Sequence, residues 1–365
     1  MRMLRTIGVG GLVALFAIGC ATVEQEMFRV DSDHRGVTES TDPQGSLPPL
    51  WTFDTDAPSY SSPIVTRDLV LFGDNDGRMY AIDRESGEEV WNHQSDGNIE
   101  GTPAVGDGVV YFGSWDGLIR ARNLDDGSAL WEFETDDRVY SSPTIADDRL
   151  YIGAGDGRVL ALARDSGERI WEFGTGDGVY SAPTVADGRV FFGSLDGAIH
   201  ALSADDGSEL WRVQADDEEA VFATPASDGE VVAVGGYDST MYLLDAESGD
   251  ELWNFRTGGR IFASAALTDT HVIFGSADGY VYAIDRQTGQ RTWEVDVGSR
   301  IYSSPVVTQT SVFFGARDGH LYAVDRETGQ ERWRADLGEE VHATPVVRDG
   351  RVWIATVDGK LHAIE

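Results

Sequence analysis

A tryptophan that returns at a nearly constant interval constrains this chain more than any other feature. Successive members lie 40 residues apart, except for one step of 42. The eight members are Trp51, Trp91, Trp131, Trp171, Trp211, Trp253, Trp293 and Trp333. A period near 40 residues indicates an array of supersecondary units that bury their faces against their neighbours.

Each period contains four short β-like runs. In the first, residues 60–65, 69–73, 78–83 and 89–93 are rich in β-branched and aromatic side chains, and turn residues such as Asp76-Gly77 and Ser86-Gly87 separate them. Four strands per 40-residue repeat are typical of a propeller blade.

The two ends of the chain indicate how the ring closes. The last repeat stops at Glu365 after three strands, while Trp51–Phe53 precede the first full repeat as an unpaired fourth strand. Pairing these pieces would remove the open edges of the sheet. The sequence therefore predicts an all-β fold, an eight-bladed β-propeller of four-stranded blades over residues 50–365, closed by the N-terminal strand on the C-terminal blade.

The recurring tryptophans are predicted to be structural, since each would bury roughly 150–250 Å² between blades. The spacing of Ala81, Asp83, Gly87 and Trp91, which recurs through the array, resembles the tryptophan-docking motif of the quinoprotein (PQQ-type) propeller repeat. The resemblance covers residues 51–365. It implies a place among exported PQQ-like repeat proteins, which include lipoproteins of the outer-membrane β-barrel assembly machinery.

The same resemblance raises an enzymatic alternative, because PQQ-dependent dehydrogenases share the repeat. Those enzymes carry a calcium-held quinone, a catalytic carboxylate and often an adjacent cysteine pair. This chain has a single cysteine, Cys20, and no long insertion between repeats. We therefore predict a non-enzymatic scaffold or binding platform with no catalytic residue, cofactor or metal. A PQQ-dependent oxidoreductase and a sugar- or small-ligand-binding surface lipoprotein remain the alternatives.

The N-terminus predicts export. Arg2 and Arg5 precede an apolar run over residues 7–18, which is too short to span a bilayer but suits a signal peptide. The ending Ala17-Ile18-Gly19-Cys20 resembles a lipobox, so residues 1–20 are predicted to be a signal peptide with lipidation at Cys20. Residues 21–49 are polar and aperiodic, and they predict a flexible tether. The protein is expected on the periplasmic or cell-surface side, attached to the membrane by its lipid alone.

Charge excludes one class of partner. There are 63 acidic residues against 28 basic ones, a net charge of −35, and Lys360 is the one lysine. Such a surface repels nucleic acid. It also favours high salt, in which counterions screen self-repulsion, so a halophilic source is a hypothesis.

Departures from the repeat indicate where binding occurs. One column, at the start of the innermost strand, is aromatic except at two positions, and the second blade is the most irregular. We expect either a plugged channel or a recognition face that holds a membrane protein or an exposed peptide segment on a monomeric propeller. The candidate residues are Tyr60, Glu100, Trp115, Arg120, Arg122, Arg138, Tyr140, Tyr180, Arg260, Arg300, Tyr302 and His342.

Overall fold

Short runs of β-branched and aromatic residues, each ended by a turn, form the strands of this protein. The structure is a computed structural model and describes residues 25–27, 31–45 and 47–365. Every repeat folds into an antiparallel four-stranded sheet, and the eight sheets form a propeller ring. The predicted fold class is confirmed. Residues 1–20, with the predicted signal peptide and Cys20, lie outside the described residues.

The inner strand of each blade lines the channel, and the second strand packs behind it. The inner strands of blades one to eight are Ile64–Val65, Ala104–Gly106, Thr144–Ala146, Thr184–Ala186, Ala226–Ser227, Ala266–Leu267, Val306–Val307 and Val346–Arg348. The second strands are Leu69–Gly73, Val109–Gly113, Arg149–Gly153, Arg189–Gly193, Val231–Gly235, His271–Gly275, Ser311–Gly315 and Arg351–Ala355.

The third and outer strands complete each blade. The third strands are Arg78–Asp83, Leu118–Asn123, Arg158–Ala163, Ala198–Ser203, Thr240–Asp245, Tyr280–Asp285, His320–Asp325 and Lys360–Ile364. The outer strands of blades one to seven are Glu89–Gln94, Ala129–Glu134, Arg169–Gly174, Glu209–Gln214, Glu251–Arg256, Arg291–Asp296 and Glu331–Asp336. The outer strand of blade eight is Trp51–Asp54, which pairs antiparallel with Lys360–Ile364 as the chain ends predicted.

Apolar side chains fill the space between neighbouring blades, with the docking tryptophans at the outer end of each interface. Between blades four and five, for example, Phe191 and Trp211 pack with Val232 and Tyr242. Trp171 donates its indole N–H to the carbonyl of Ala204, 3.0 Å away in the next blade. This hydrogen bond explains why the docking tryptophans occupy one fixed place in each repeat.

Glycine makes this docking possible. The Trp171 ring covers Gly207, whose φ is +72° and where a Cβ atom would lie 2.7 Å from the ring. A side chain at this position would therefore collide with the indole and also strain the backbone.

The N-terminal segment differs from the predicted tether. Its first part, Gln25–Glu26, adds a fifth strand to blade two beside Ala104–Gly106. Backbone carbonyls of Ser32, Asp33 and Arg35 then accept hydrogen bonds of 2.8–3.0 Å from the inner strands of blades four, five and six. Residues 31–45 thus lie against the ring instead of standing free of it, because the inner strands offer unpaired backbone donors.

The same segment completes blade eight. The other docking tryptophans bond a turn that follows them in the chain, but Trp333 bonds a turn from the N-terminal segment. Its indole N–H donates to the carbonyl of Pro43 at 3.2 Å. Gly45, with φ of +73°, lies beneath the Trp333 indole as Gly207 lies beneath Trp171. Contacts that complete the propeller therefore extend to residues before the predicted boundary at residue 50.

Helix is nearly absent from the described part of the chain. One 3-10 turn, Asp216–Glu218, occupies the two-residue insertion. Within these residues there is no helix long and apolar enough to cross a bilayer.

Candidate functional site

Eight side chains surround one end of the central channel, which we call the mouth. Each stands four residues before an inner strand, where the chain crosses from the outer edge of one blade to the centre of the next. The mouth residues are Tyr60, Glu100, Tyr140, Tyr180, Phe222, Phe262, Tyr302 and His342. The structure thus brings together the column that the sequence singled out.

The mouth rings touch one another in a nearly continuous series. The ring centroids of Tyr140 and Tyr180 are 5.1 Å apart and stacked. The ring centroid of Tyr302 lies 4.7 Å from that of Phe262 and 4.9 Å from that of His342. Such spacings suit favourable aromatic contacts, so the rings support each other as one wall.

Sequence reasoning missed two members of this surface, Tyr237 and Arg317. Both lie in the loop between second and third strands, at the repeat position of Trp115. The Tyr237 ring lies 4.7 Å from Phe262. The signal was present in the sequence, since the same position holds Gly155 and Ala277 in other blades.

Arginines lie over the aromatic wall. The Arg138 guanidinium is 5.1 Å from the ring of Trp115 and 5.8 Å from that of Tyr180. Arg260 lies 5.0 Å from the Tyr237 ring, in cation–π geometry as well. Both arginines are exposed.

Arg300 belongs to the same rim. Its Nη1 donates to the Tyr302 hydroxyl at 3.4 Å, and the side chain is exposed. The predicted residues Trp115, Arg138, Arg260 and Arg300 therefore all border the mouth.

Glu100 fills the gap in the aromatic series. Its carboxylate accepts a hydrogen bond from Asn98 at 3.2 Å. Burial raises the pKa of Glu100, although hydrogen bonds from Asn98 and Tyr140 and the charge of Arg138 oppose the shift. Glu100 is the only carboxylate among the eight mouth residues, and it is partly removed from water.

His342, the other departure from Tyr and Phe in the column that the sequence singled out, contacts Glu340, which forms a salt bridge with Arg317. Arg317 donates to both oxygens of Glu340, at 2.7 and 2.8 Å, and His342 Nε2 lies 3.0 Å from Glu340. The hydrogen bonds from Arg317 hold the pKa of Glu340 down at about 2. Burial lowers the pKa of His342, so its imidazole is neutral at pH 7.

A layer of hydroxyl side chains lies beneath the rings. Backbone N–H groups of alternate blades donate to these hydroxyls, as Thr102 does to Ser142 Oγ at 2.9 Å and Ser264 to Ser304 Oγ at 3.0 Å. Rings and hydroxyls enclose a cavity of about 140 Å³, and a second cavity of about 380 Å³ lies at the mouth above it. The site is thus an aromatic cup with a polar floor.

The far end of the channel is occupied by the N-terminal segment. His34 is completely buried there, 3.0 Å from Thr184 Oγ1 and 3.2 Å from Thr144 Oγ1. A ligand therefore has the mouth as its natural way in.

Arg120 and Arg122, predicted for the recognition face, are not part of it. They are only 5% and 4% exposed, between blades one and two. Arg120 pairs with Asp116, and Arg122 pairs with Glu132 at 2.5 Å. Third-strand side chains at these positions face the preceding blade, so they are buried whatever their polarity.

The same interface partly buries His93. Its pKa falls to about 4 through burial, assisted by the charges of Arg122 and Arg120. The two arginines of this cluster are therefore internal and offer little surface to a partner. Across the described ranges, no three His, Cys, Asp or Glu side chains are grouped so as to hold a metal ion.

Comparison with known proteins places the chain in a family. The sequence-family model described as "Outer membrane protein assembly factor BamB" matches residues 34–173, 115–254, 218–302 and 277–365. No curated protein matches the chain significantly.

Solved structures share the fold at low identity. The computationally designed Ika8 protein is 21% identical with a TM-score of 0.76, covering 89% of this chain and 99% of its own. BamB from Moraxella catarrhalis is 21% identical with a TM-score of 0.73, covering 86% and 96%. Quinohemoprotein alcohol dehydrogenase from Comamonas testosteroni is 15% identical with a TM-score of 0.79, covering 92% and 79%. Designed, assembly and enzymatic propellers thus resemble the chain alike, and fold alone does not select among their functions.

Proposed function

Since this chain belongs to the family of outer membrane protein assembly factor BamB, we propose that it is a binding platform that holds a protein partner at the channel mouth. The observation that carries the proposal is the surface around the aromatic cup, where half-buried Trp115 lies beside the exposed Arg260 and Arg300. Tryptophan, tyrosine and arginine are the residues most enriched where binding energy concentrates.

The partner we propose is a membrane protein or an exposed peptide segment of one. The family description supports a role in outer-membrane protein assembly for a cell with an outer membrane. We further propose that the protein is exported and attached by a lipid on Cys20, which keeps the platform beside a membrane.

Binding without chemistry of its own is the function we favour over a PQQ-dependent oxidoreductase. The fold resemblance to a quinohemoprotein alcohol dehydrogenase supports testing the alternative. The residues present do not fit a calcium-held quinone, because the eight mouth residues supply one carboxylate, Glu100, and calcium prefers six to eight oxygen ligands. A single cysteine also precludes the adjacent cysteine pair.

The test of the platform is a crosslinking search in the native cell with photo-crosslinkers at the mouth. We expect a specific membrane-protein adduct that Trp115→Ala, Arg260→Ala and Arg300→Ala each reduce by roughly tenfold or more, since anchor residues contribute about 2 kcal/mol or more. Arg169→Ala, an exposed arginine on an outer strand, is the matched control. Unchanged adducts in all three variants would overturn the proposal.

A parallel titration with PQQ and calcium addresses the enzymatic alternative. We expect no saturable change in absorbance or melting temperature of the purified protein. A saturable shift in both would replace the platform by a quinone-dependent function.

A further inference from the structure

The mouth combines a wall of aromatic faces with one carboxylate. Six of its eight residues are Tyr or Phe, and His342 is neutral at pH 7, so Glu100 supplies the only formal charge. Aromatic faces carry negative potential that attracts cations, most strongly those that shed water easily, such as quaternary ammonium ions. This composition is typical of a site for an organic cation.

The protein's own arginines show that these faces accept cations. Arg138 covers Trp115 and Tyr180, and Arg260 covers Tyr237. Arg317 lies 5.6 Å from the Tyr302 ring. Three guanidinium groups thus lie on the outer rim of the wall.

Glu100 also has no salt bridge among the described residues, although the charge of Arg138 acts on it from farther away. Among the described residues no basic nitrogen lies within 4.0 Å of its carboxylate, whose hydrogen bonds come from the neutral groups of Asn98 and Tyr140. Removing a carboxylate from water without a counter-ion is costly. A cation bound in the cup would give Glu100 the close charge partner that Arg138 does not supply.

The rim arginines do not reverse this preference. Arg317 is neutralised by Glu340 and Arg260 by Glu219, 3.6 Å away. Arg138 and Arg300 are exposed, so solvent and salt screen their charge, whereas Glu100 acts inside the cup where screening is weaker. The net charge of −35 adds a long-range attraction for cations.

We propose that the cup at the channel mouth binds the ammonium group of an organic cation, with Glu100 as its counter-ion and the mouth rings as its cage. The inference rests on the proposed function, because it names the chemistry recognised at the same mouth. Two sources share this chemistry: a free quaternary ammonium compound and a lysine side chain of a protein partner. The hydroxyl layer beneath the rings adds polar groups that a ligand bearing a hydroxyl or amide can reach.

The experiment is isothermal titration calorimetry of the purified protein at constant ionic strength. Choline is compared with 3,3-dimethylbutan-1-ol, its neutral counterpart of the same shape. We expect choline to bind at least about tenfold more tightly. Cation–π and carboxylate contacts favour the charged ligand, whereas burial of the same apolar shape favours both ligands equally. Equal binding of the two, or tighter binding of benzoate, overturns the proposal.

Variants identify the residues. Glu100→Gln is expected to weaken choline binding by about tenfold, and Glu219→Gln, which removes a rim carboxylate outside the cup, by less than about twofold. Arg138→Gln is expected to strengthen it, because the variant removes a competing cation beside Glu100. A loss in Arg138→Gln, or equal losses in Glu100→Gln and Glu219→Gln, contradicts the assignment.

A further arm separates the two sources. N-acetyl-lysine methylamide represents a lysine of a partner, and tighter binding of this probe than of choline assigns the cup to a protein side chain, while the reverse order assigns it to a free quaternary ammonium compound. Failure of both probes overturns the inference. The crosslinked membrane-protein adduct, and its reduction by Trp115→Ala, are measured separately. Failure of the ammonium site and failure of the binding platform can therefore be distinguished.

Discussion

At the scale of single residues, the docking tryptophan and the glycine beneath it form one unit. The indole N–H bonds a carbonyl of the next blade, and the ring covers a glycine with positive φ, as Trp171 covers Gly207. Burial of an indole of 150–250 Å² contributes at most roughly 4–6 kcal/mol at about 25 cal/mol per Å². The glycine is therefore as constrained as the tryptophan.

A pair of glycines isolates the cost of that contact. Gly207 and Gly188 both have φ of +72°, but a Cβ at Gly207 would lie 2.7 Å from Trp171, whereas nothing lies within 4 Å of one at Gly188. Gly188→Ala should lower the free energy of unfolding by about 1–2 kcal/mol through backbone strain. Gly207→Ala should lower it by a further roughly 1–3 kcal/mol because the ring must move. Denaturant unfolding measures the free energy of unfolding of both variants. Equal losses would show that the indole can move away from a Cβ atom at residue 207 at little cost.

At the scale of elements, the N-terminal segment is part of the propeller. The Asp42 carboxylate accepts hydrogen bonds from Thr308, Thr310 and Ser311, with the Ser311 hydroxyl at 2.6 Å, and lies 3.5 Å from Arg332. Burial alone would raise the pKa of Asp42, but these hydroxyl donors and Arg332 outweigh it and lower the pKa. The ionised carboxylate thus fastens the segment to blade seven.

Asp42→Asn tests this attachment. A carboxylate whose pKa is lower in the folded state stabilises the fold above its unfolded value of about 3.9, and the contribution is lost as pH falls through the folded value. We expect Asp42→Asn to lower the melting temperature at about pH 7 by a few degrees, and the difference from the parent to shrink as the pH falls through the lowered pKa of Asp42.

Glu39→Gln is the control for that experiment. Glu39 is an exposed carboxylate of the same segment, so its replacement should leave the melting temperature nearly unchanged. A difference for Asp42→Asn that persists unchanged at low pH would show that shape rather than charge holds the segment.

At the scale of the whole molecule, ring closure depends on contacts between chain ends. Beside the strand pairing of blade eight, Arg84 of blade one bonds Asp349 of blade eight at 2.6 Å, and Arg351 bonds Glu85 at 2.9 Å. Against these pairs stands a net charge of −35, whose self-repulsion favours expansion. The balance should depend on salt.

We expect the melting temperature to rise steadily between about 0.1 and 2 M NaCl, because screening weakens repulsion among the unpaired carboxylates. Sucrose of equal osmolarity is the control, since it is excluded from protein surfaces without screening charge. Equal melting temperatures at the two salt concentrations would contradict the halophilic hypothesis, which stays a prediction.

The blade count, the closing strand pair, the docking tryptophans and the aromatic column at the mouth could all be predicted from the sequence. All follow from a period that repeats locally, so one blade predicts the next. The three-dimensional structure was needed to place residues 31–45, to show that Arg120 and Arg122 are buried, and to show that Tyr237 and Arg317 lie at the mouth. These depend on which surfaces meet across the ring, because polarity and spacing along the chain do not tell whether a side chain faces solvent or the neighbouring blade. The unusual turn from Asp42 to Gly45 shows the limit most clearly: its relation to Trp333 spans the whole chain, and only closure of the ring brings the two together.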